Sequence, residues 1–190
     1  MEVRKTREKD FKEICDILFS LLEWFDENAR KAIPVDLQYQ KGFVAVEDGK
    51  VVGFVTYYVA EGAVVIGWMG VRKEFHRKGI GSRLLARLVE RTREMGIGRI
   101  ATYTLGDSVK YAPYERTRQF YFKHGFRVYQ RSKTDNPSCP EEIRLKLEIA
   151  SFSVIIGRAQ GSGTDLRGEG ETRGHGERNG GRNSGSPIAD

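Results

Sequence analysis

The sequence predicts an α/β (α+β) domain, a mixed β-sheet with helices on its faces. Three observations predict it. β-rich runs are interleaved with segments whose apolar residues recur at helical spacing. Asp48-Gly49 stands between two such β-runs, which is a strong hairpin signal. Gly79-Ile80-Gly81 stands between a strand-like run and a leucine-spaced helix, so one helix begins in a glycine turn.

The elements follow in chain order. "MEVRK" reads as a short first strand. Phe11, Ile14, Cys15, Leu18, Leu21, Leu22 and Phe25 then share one face of an amphipathic helix, and Pro34 sets an outer limit on its continuation. "GFVAVEDGKVVGFVTYYVA" gives two strands around the hairpin, and "GAVVIGWMGV" a further one. Leu84, Leu85, Leu88 and Val89 mark the next helix, closed near Gly96. "RIATYTL" is a strand, "YERTRQFYFKHGF" a helix ending at Gly125, and "FRVYQR" and "EEIRLKLEI" the last two strands. In the final strand Ile143, Leu145, Leu147 and Ile149 alternate onto one face.

Past Ala150 the composition changes. The segment to Asp190 holds ten of the 22 glycines and few apolar residues, so residues 1–150 are expected to form one domain and 151–190 a disordered Gly/Arg/Glu-rich tail. An RNA-binding Gly/Arg tail is the sharper alternative. It lacks interleaved aromatics, and its five arginines are matched by five acidic residues. A stretch appended by cloning or a frameshift is another reading.

A chain of 190 residues suits a single core, and its net charge of +6 suits an anionic ligand as well as plain solvation. No apolar run reaches membrane-span length and the N-terminus lacks a signal-peptide core, so a cytoplasmic protein without a membrane partner is expected. Cys15 and Cys139 form no CxxC pair, and with three histidines a metal site is not expected.

A helix start is an anion site, because its first N–H groups lack partners and the helix dipole places positive charge there. Arg77 and Lys78 add charge, and the glycines allow close backbone approach. No G-x-x-x-x-G-K-[ST] loop is present, and "GIGRIA" follows a helix rather than a strand, so neither a P-loop nor a dinucleotide fingerprint fits. "WMGVRKEFHRKGIGSRLL" resembles instead the acyl-CoA-binding motif of the GNAT-type N-acetyltransferases, [Q/R]-x-x-G-x-[G/A]. "RQFYFKHGF" resembles the later helix of that family. Two motifs in the right order and context strengthen each other. His76 stands where the family usually has Gln or Arg, Tyr114 where many members have Asn, and the link "GDSVKYAP" is longer than the common pattern.

The resemblance covers Met1 to about Ala150 and implies a mostly antiparallel sheet, about four helices and a V-shaped splay between the fourth and fifth strands. Acetyl-CoA would wedge into that splay and pair with the backbone of Met69, Gly70 and Val71. Its pyrophosphate would lie against His76, Arg77, Lys78, Gly79, Ile80, Gly81 and Ser82, with Tyr114 also on the cofactor. Gly67 and Gly70 fit such an approach, though packing beside a residue such as Trp68 explains them equally well.

The reaction implied is direct acetyl transfer to a primary amine in a ternary complex. A neutral tyrosine, of ordinary pKa about 10, is able to protonate a thiolate whose thiol has a pKa of about 8.5, and the family pattern assigns this to Tyr121. The plainer reading of Tyr121 is a core aromatic, but Phe120 and Phe126 are available for that. Backbone N–H groups from Met69 to Val71 would face the oxyanion. Neither central strand offers a carboxylate or histidine as base, so proton removal through water toward Glu23, Asp26 or Tyr103 is expected.

Glu23, Trp24, Asp26, Tyr103 and Tyr111 are the candidate acceptor-binding residues. Aromatic surface with carboxylates suits a cationic amine, whether small molecule or peptide, while Arg116 and Arg118 on the opposite wall suit a carboxylate-bearing acceptor. Two other classes compete. A non-catalytic acyl-CoA-binding regulatory module would be indifferent to Tyr121→Phe, and a nucleic-acid-binding protein would show strongly salt-dependent binding. A homodimer follows from family analogy alone.

Overall fold

The computed structural model describes residues 1–150 except Val109 and Ser138, together with the backbone of Ile188 and Ala189. The rest of the expected tail lies outside the described residues. The strands are β1 (Glu2–Lys5), β2 (Lys41–Glu47), β3 (Lys50–Ala60), β4 (Ala63–Val71), β5 (Arg99–Leu105), β6 (Arg127–Lys133), β7 (Glu141–Glu148) and β8 (Ile188–Ala189). The helices are α1 (Phe11–Ser20), α2 (Glu27–Tyr39), α3 (Ile80–Glu94) and α4 (Ala112–Lys123). The sheet order is β1-β2-β3-β4-β5-β7-β6, with β8 on β4. Among the described residues only the β4–β5 and β4–β8 pairs are parallel, so the expected mixed, mostly antiparallel sheet with four helices is what forms.

Local chemistry sets the turns. Asp48 and Gly49 have φ of 50° and 77°, and Glu61 and Gly62 have 51° and 70°. Left-handed pairs of this kind match the twist of two antiparallel strands, so β2–β3 and β3–β4 are tight hairpins. Alternation then divides each strand between two cores. Val44, Val51, Phe54 and Trp68 pack with Ile14, Ile17, Leu18 and Ile33 of α1 and α2. Phe43, Val55 and Met69 pack with Leu84, Leu85 and Leu88 of α3 and Tyr121 of α4 on the other face. Each such leucine, fully buried, is worth about 1.5–3 kcal/mol.

Two expectations fail along the first helical region. α1 ends at Ser20, and Leu22 is exposed. A second helix, α2, runs through Pro34. The proline costs a backbone bond and about 3 kcal/mol in a helix interior. Against it, the Asp26 carboxylate caps the helix by accepting from the Ala29 N–H at 2.8 Å, and Ala29, Ile33 and Leu37 bury one stripe.

The feature that shapes the site is a bulge in β4. Val55 faces Met69 and Tyr57 faces Ile66, so Thr56 alone opposes Gly67 and Trp68. The Thr56 hydroxyl accepts from the Trp68 N–H at 2.8 Å and donates to Gln40 Oε1 at 2.6 Å. A bulge bends its strand. β4 accordingly pairs with β5 only at Val64 and Val65, before the bulge, and the two strands part beyond it.

Candidate active site

The glycine turn links β4 to α3. After a short 3-10 turn at Lys73–Phe75, Arg77 has φ 60° and Gly79 φ 77°, and α3 starts at Ile80. A left-handed arginine is strained, and such strain persists where the surrounding structure holds a site in place. The space at Gly79 is open, with nothing within 4 Å of where a Cβ would stand. The first N–H groups of α3 have no carbonyl within the helix to receive them, and Arg77 and Lys78 are exposed beside them. An electropositive turn whose helix-start donors have no partner within the helix fits a phosphate ester.

His76, expected beside the pyrophosphate, makes a contact within the chain. Its Nε2 lies 2.8 Å from the Val71 carbonyl, which only accepts, so that nitrogen carries the hydrogen and donates. The ring meets Trp24 edge-on, with centroids 5.9 Å apart. Ser82, in the first turn of α3, has its Oγ 2.9 Å from Nε2 of His124 at the end of α4.

The splay lies between β4 and β5. Met69 and Gly70 bond on one side to β3, and on the side toward the splay they pair with Ile188 and Ala189 of β8. Gly70 is small for an internal reason. A Cβ there would come within 2.9 Å of the Phe54 ring and 3.3 Å of Leu21, while one at Gly67 would strike the Gln40 side chain. Both glycines make room for neighbours within the chain. Tyr121 projects from α4 onto β5, where its hydroxyl is 3.2 Å from Thr102 Oγ1. The side chain is fully buried, and burial holds the hydroxyl protonated well beyond the usual tyrosine range, the Thr102 bond opposing this only in part.

At the mouth of the splay a cavity of about 260 Å³ opens between the α1–α2 connection and the start of α4. Glu23, Trp24, Asp26 and Tyr111, four of the five expected acceptor residues, line it. Leu22, Leu105 and Lys110 line it as well, and so does Tyr114, which was expected on the cofactor. The Tyr114 hydroxyl donates to the Trp24 carbonyl, the Trp24 indole donates to the Pro113 carbonyl at 3.2 Å, and the Arg116 guanidinium lies 5.7 Å over the Trp24 ring. Glu23 is ion-paired with Lys73 at 2.8 Å, and that bond holds its carboxyl below the usual range. Tyr103 does not line the cavity. Its hydroxyl is buried without a recorded partner, and burial, with Glu142 nearby, raises it above the tyrosine range. Arg118 is buried and donates to the carbonyls of Leu105 and Gly106, so it anchors the end of β5.

Tyr114, with Tyr111 on the segment expected to form the opposite wall of the acceptor site, does line the cavity. Sequence reasoning missed His124, whose meeting with Ser82 needed α3 placed beside α4 and has no local signal. Among the described residues no group of His, Cys, Asp and Glu is arranged to hold a metal, both cysteines are free, and no helix is long and apolar enough to cross a membrane.

A basic glycine turn after a bulged β4, a splay beside a parallel β5, and a buried neutral tyrosine on that splay are the parts that a coenzyme A-dependent acyltransferase requires. Residues 38–128 match the model of the acetyltransferase (GNAT) domain. No curated protein sequence matches it significantly. Among solved structures, a GNAT-family protein from Desulfovibrio desulfuricans superposes with a TM-score of 0.68 at 23% identity, over 78% of this chain and 99% of that one. The ribosomal-protein-S18-alanine N-acetyltransferase of Escherichia coli gives 0.65 at 15% identity, over 85% and 99%. An aminoglycoside 6'-N-acetyltransferase complexed with coenzyme A gives 0.64 at 14% identity, over 79% and 98%. GNAT enzymes use acetyl-CoA as acyl donor, which agrees with the fit of the cradle to a phosphate ester.

Proposed function

We propose that the protein transfers the acetyl group of acetyl-CoA to a primary amine by direct attack within a ternary complex. The observation that carries this reading is Tyr121, a buried, neutral hydroxyl set on the β5 side of the splay and tied to Thr102. Acetyl-CoA supplies an activated carbonyl and a thiolate leaving group. The turn from Arg77 to Ser82 holds the pyrophosphate, and the β4 backbone from Met69 to Val71 faces the thioester. The acceptor amine enters through the cavity between Trp24, Tyr111 and Tyr114.

The proton balance constrains the remaining roles. The amine forms the new C–N bond as the C–S bond breaks, Tyr121 gives its proton to the departing sulfur, and the proton lost by the amine returns to Tyr121 through water. Glu23, held ionised by Lys73, is a weak base. An acceptor that arrives as an ammonium must first shed a separate proton, and Asp26, with one oxygen on the Ala29 N–H and lining the cavity, is the carboxylate better placed to draw that first proton through water.

The test couples binding to turnover. Thermal denaturation with acetyl-CoA, with ADP as control, is expected to show stabilisation of about 2.7 kcal/mol at one hundred times Kd, absent in Gly81→Glu. Thiol release is then followed with a panel of primary amines, and Tyr121→Phe is expected to lower kcat by about 100-fold while retaining the acetyl-CoA shift. Stabilisation without amine-dependent thiol release, and without any effect of Tyr121→Phe, would leave a non-catalytic acyl-CoA-binding module.

A further inference from the structure

We infer that His124 is a positioning residue that decides whether Ser82 is able to donate to the phosphate in the cradle, so that donor binding is coupled to a proton on His124. The inference rests on the cradle reading above and adds to it a residue outside both sequence motifs' expected roles.

The hydrogen-bond directions follow from the partners. His124 Nδ1 lies 2.8 Å from the carbonyl of Phe120, which only accepts, so Nδ1 carries a hydrogen in every protonation state. In the neutral ring Nε2 is then a bare acceptor. It lies 2.9 Å from Ser82 Oγ, and the serine's single hydroxyl hydrogen points to it. Ser82 thus turns only lone pairs toward an anion in the turn, and lone pairs repel phosphate oxygen. When Nε2 gains a proton the bond reverses: Nε2 donates to Oγ, the serine hydrogen is released toward the phosphate, and a positive charge arrives behind it.

The surroundings make the anion necessary for this switch. From Phe75 to Val89 the α3 side contributes no acidic residue, only His76, Arg77, Lys78, Arg83 and Arg87. From Arg116 to Thr134, along the α4 side and into β6, there is again none, while Lys123 and Arg127 flank His124. The Phe120 ring, 4.4 Å from the imidazole centroid to centroid, fixes the ring's orientation. Along these two stretches every charged residue is basic, and Glu148 of the neighbouring β7 is ion-paired with Lys146, so a proton on His124 and a bound phosphate favour each other.

Dephospho-CoA is the probe, because it keeps the diphosphate and lacks the 3'-phosphate monoester whose own ionisation near about pH 6 would confuse the measurement. Its Kd is measured by calorimetry on the full chain at about pH 6 and about pH 8, the interval in which histidine changes charge. The wild type is expected to bind on the order of five- to tenfold more tightly at the lower pH, the worth of one charge-assisted hydrogen bond. His124→Gln, which keeps an uncharged acceptor for Ser82, is expected to lose this dependence, whereas His76→Gln is expected to keep it. Ser82→Ala, at a half-buried first helical turn that accepts alanine, is expected to cost affinity at the lower pH and less than about twofold at the higher. A pH response equal in wild type and His124→Gln would overturn this inference alone. Failure of dephospho-CoA to bind at either pH would overturn the cradle reading and this inference with it.

Discussion

The Tyr114 hydroxyl donates to the backbone carbonyl of Trp24 across 2.9 Å, tying the first turn of α4 to the connection between α1 and α2. The two residues are ninety positions apart, and the bond closes one side of the acceptor cavity. Removing the hydroxyl leaves that carbonyl short of a donor in a half-buried place. Tyr114→Phe is therefore expected to cost about 1 kcal/mol of stability. Because the cavity wall loosens while Tyr121 is untouched, KM for the amine is expected to rise several-fold with kcat changed less. Urea denaturation together with initial rates at varied amine separates the two effects.

β8 occupies the side of Met69 and Gly70 that faces the splay. The thioester arm of acetyl-CoA, on the reading proposed above, needs the same backbone groups. Two strands' worth of partners cannot share one edge, so the pairing competes with the donor. Ala189→Pro sets a backbone angle unsuited to a paired strand and bars its N–H from the ladder. Losing about one net hydrogen bond, about 1 kcal/mol, is expected to lower KM for acetyl-CoA roughly fivefold in the full chain. An unchanged KM would separate β8 from donor binding.

The parts that sequence predicted are those whose causes are local. Asp48-Gly49 demands left-handed backbone wherever it occurs between strands, and the leucines after Gly81 carry their own period. The bulge that opens the splay is different. It depends on Thr56, on the neighbouring strand, accepting from the Trp68 N–H, and on Asp36 of α2 accepting from the Trp68 indole at 2.8 Å. That α2 runs on through Pro34 was not legible, because the burial of Ile33 and Leu37 that offsets the proline is a tertiary fact. His124 and Ser82 meet only after α3 and α4 pack side by side.

Arg4 and Asp10 form the best-buried ion pair among the described residues, with Arg4 donating through both terminal nitrogens at 2.7 and 2.8 Å and Asp10 also accepting from the Arg7 N–H at 2.8 Å. The bond from Arg4 holds the Asp10 carboxyl below the usual range, opposed by burial and helped by the Arg7 N–H. A carboxyl whose folded value is depressed contributes stability that is complete above its unfolded value, about 3.9, and is lost as pH falls through the folded one. Asp10→Asn, which leaves a partly exposed Arg4 unpaired, is expected to cost about 2 kcal/mol at neutral pH. Its stability is expected to vary less below about pH 4 than that of the wild type. Urea midpoints of both proteins from neutral to acid pH make the comparison.

Tyr103, Tyr114 and Tyr121 all have hydroxyls raised by burial, so each stays protonated in the fold where an unfolded tyrosine would ionise. The sign follows from linkage. Below about pH 10 both states hold the proton and stability does not depend on these groups. Above it the unfolded chain binds fewer protons than the fold, and stability falls as pH rises, by about 1.4 kcal/mol per pH unit for each such tyrosine. Tyr103→Phe removes one of the three without touching a hydrogen bond, because that hydroxyl has no recorded partner. The variant is expected to match or exceed the wild type at neutral pH and to lose stability less steeply above about pH 10. Urea midpoints at about pH 9 and about pH 11 read the difference. Parallel curves would mean that Tyr103 reaches water in the fold. The same chemistry bears on turnover, since a Tyr121 that keeps its proton through the alkaline range imposes no basic limb on kcat below about pH 10.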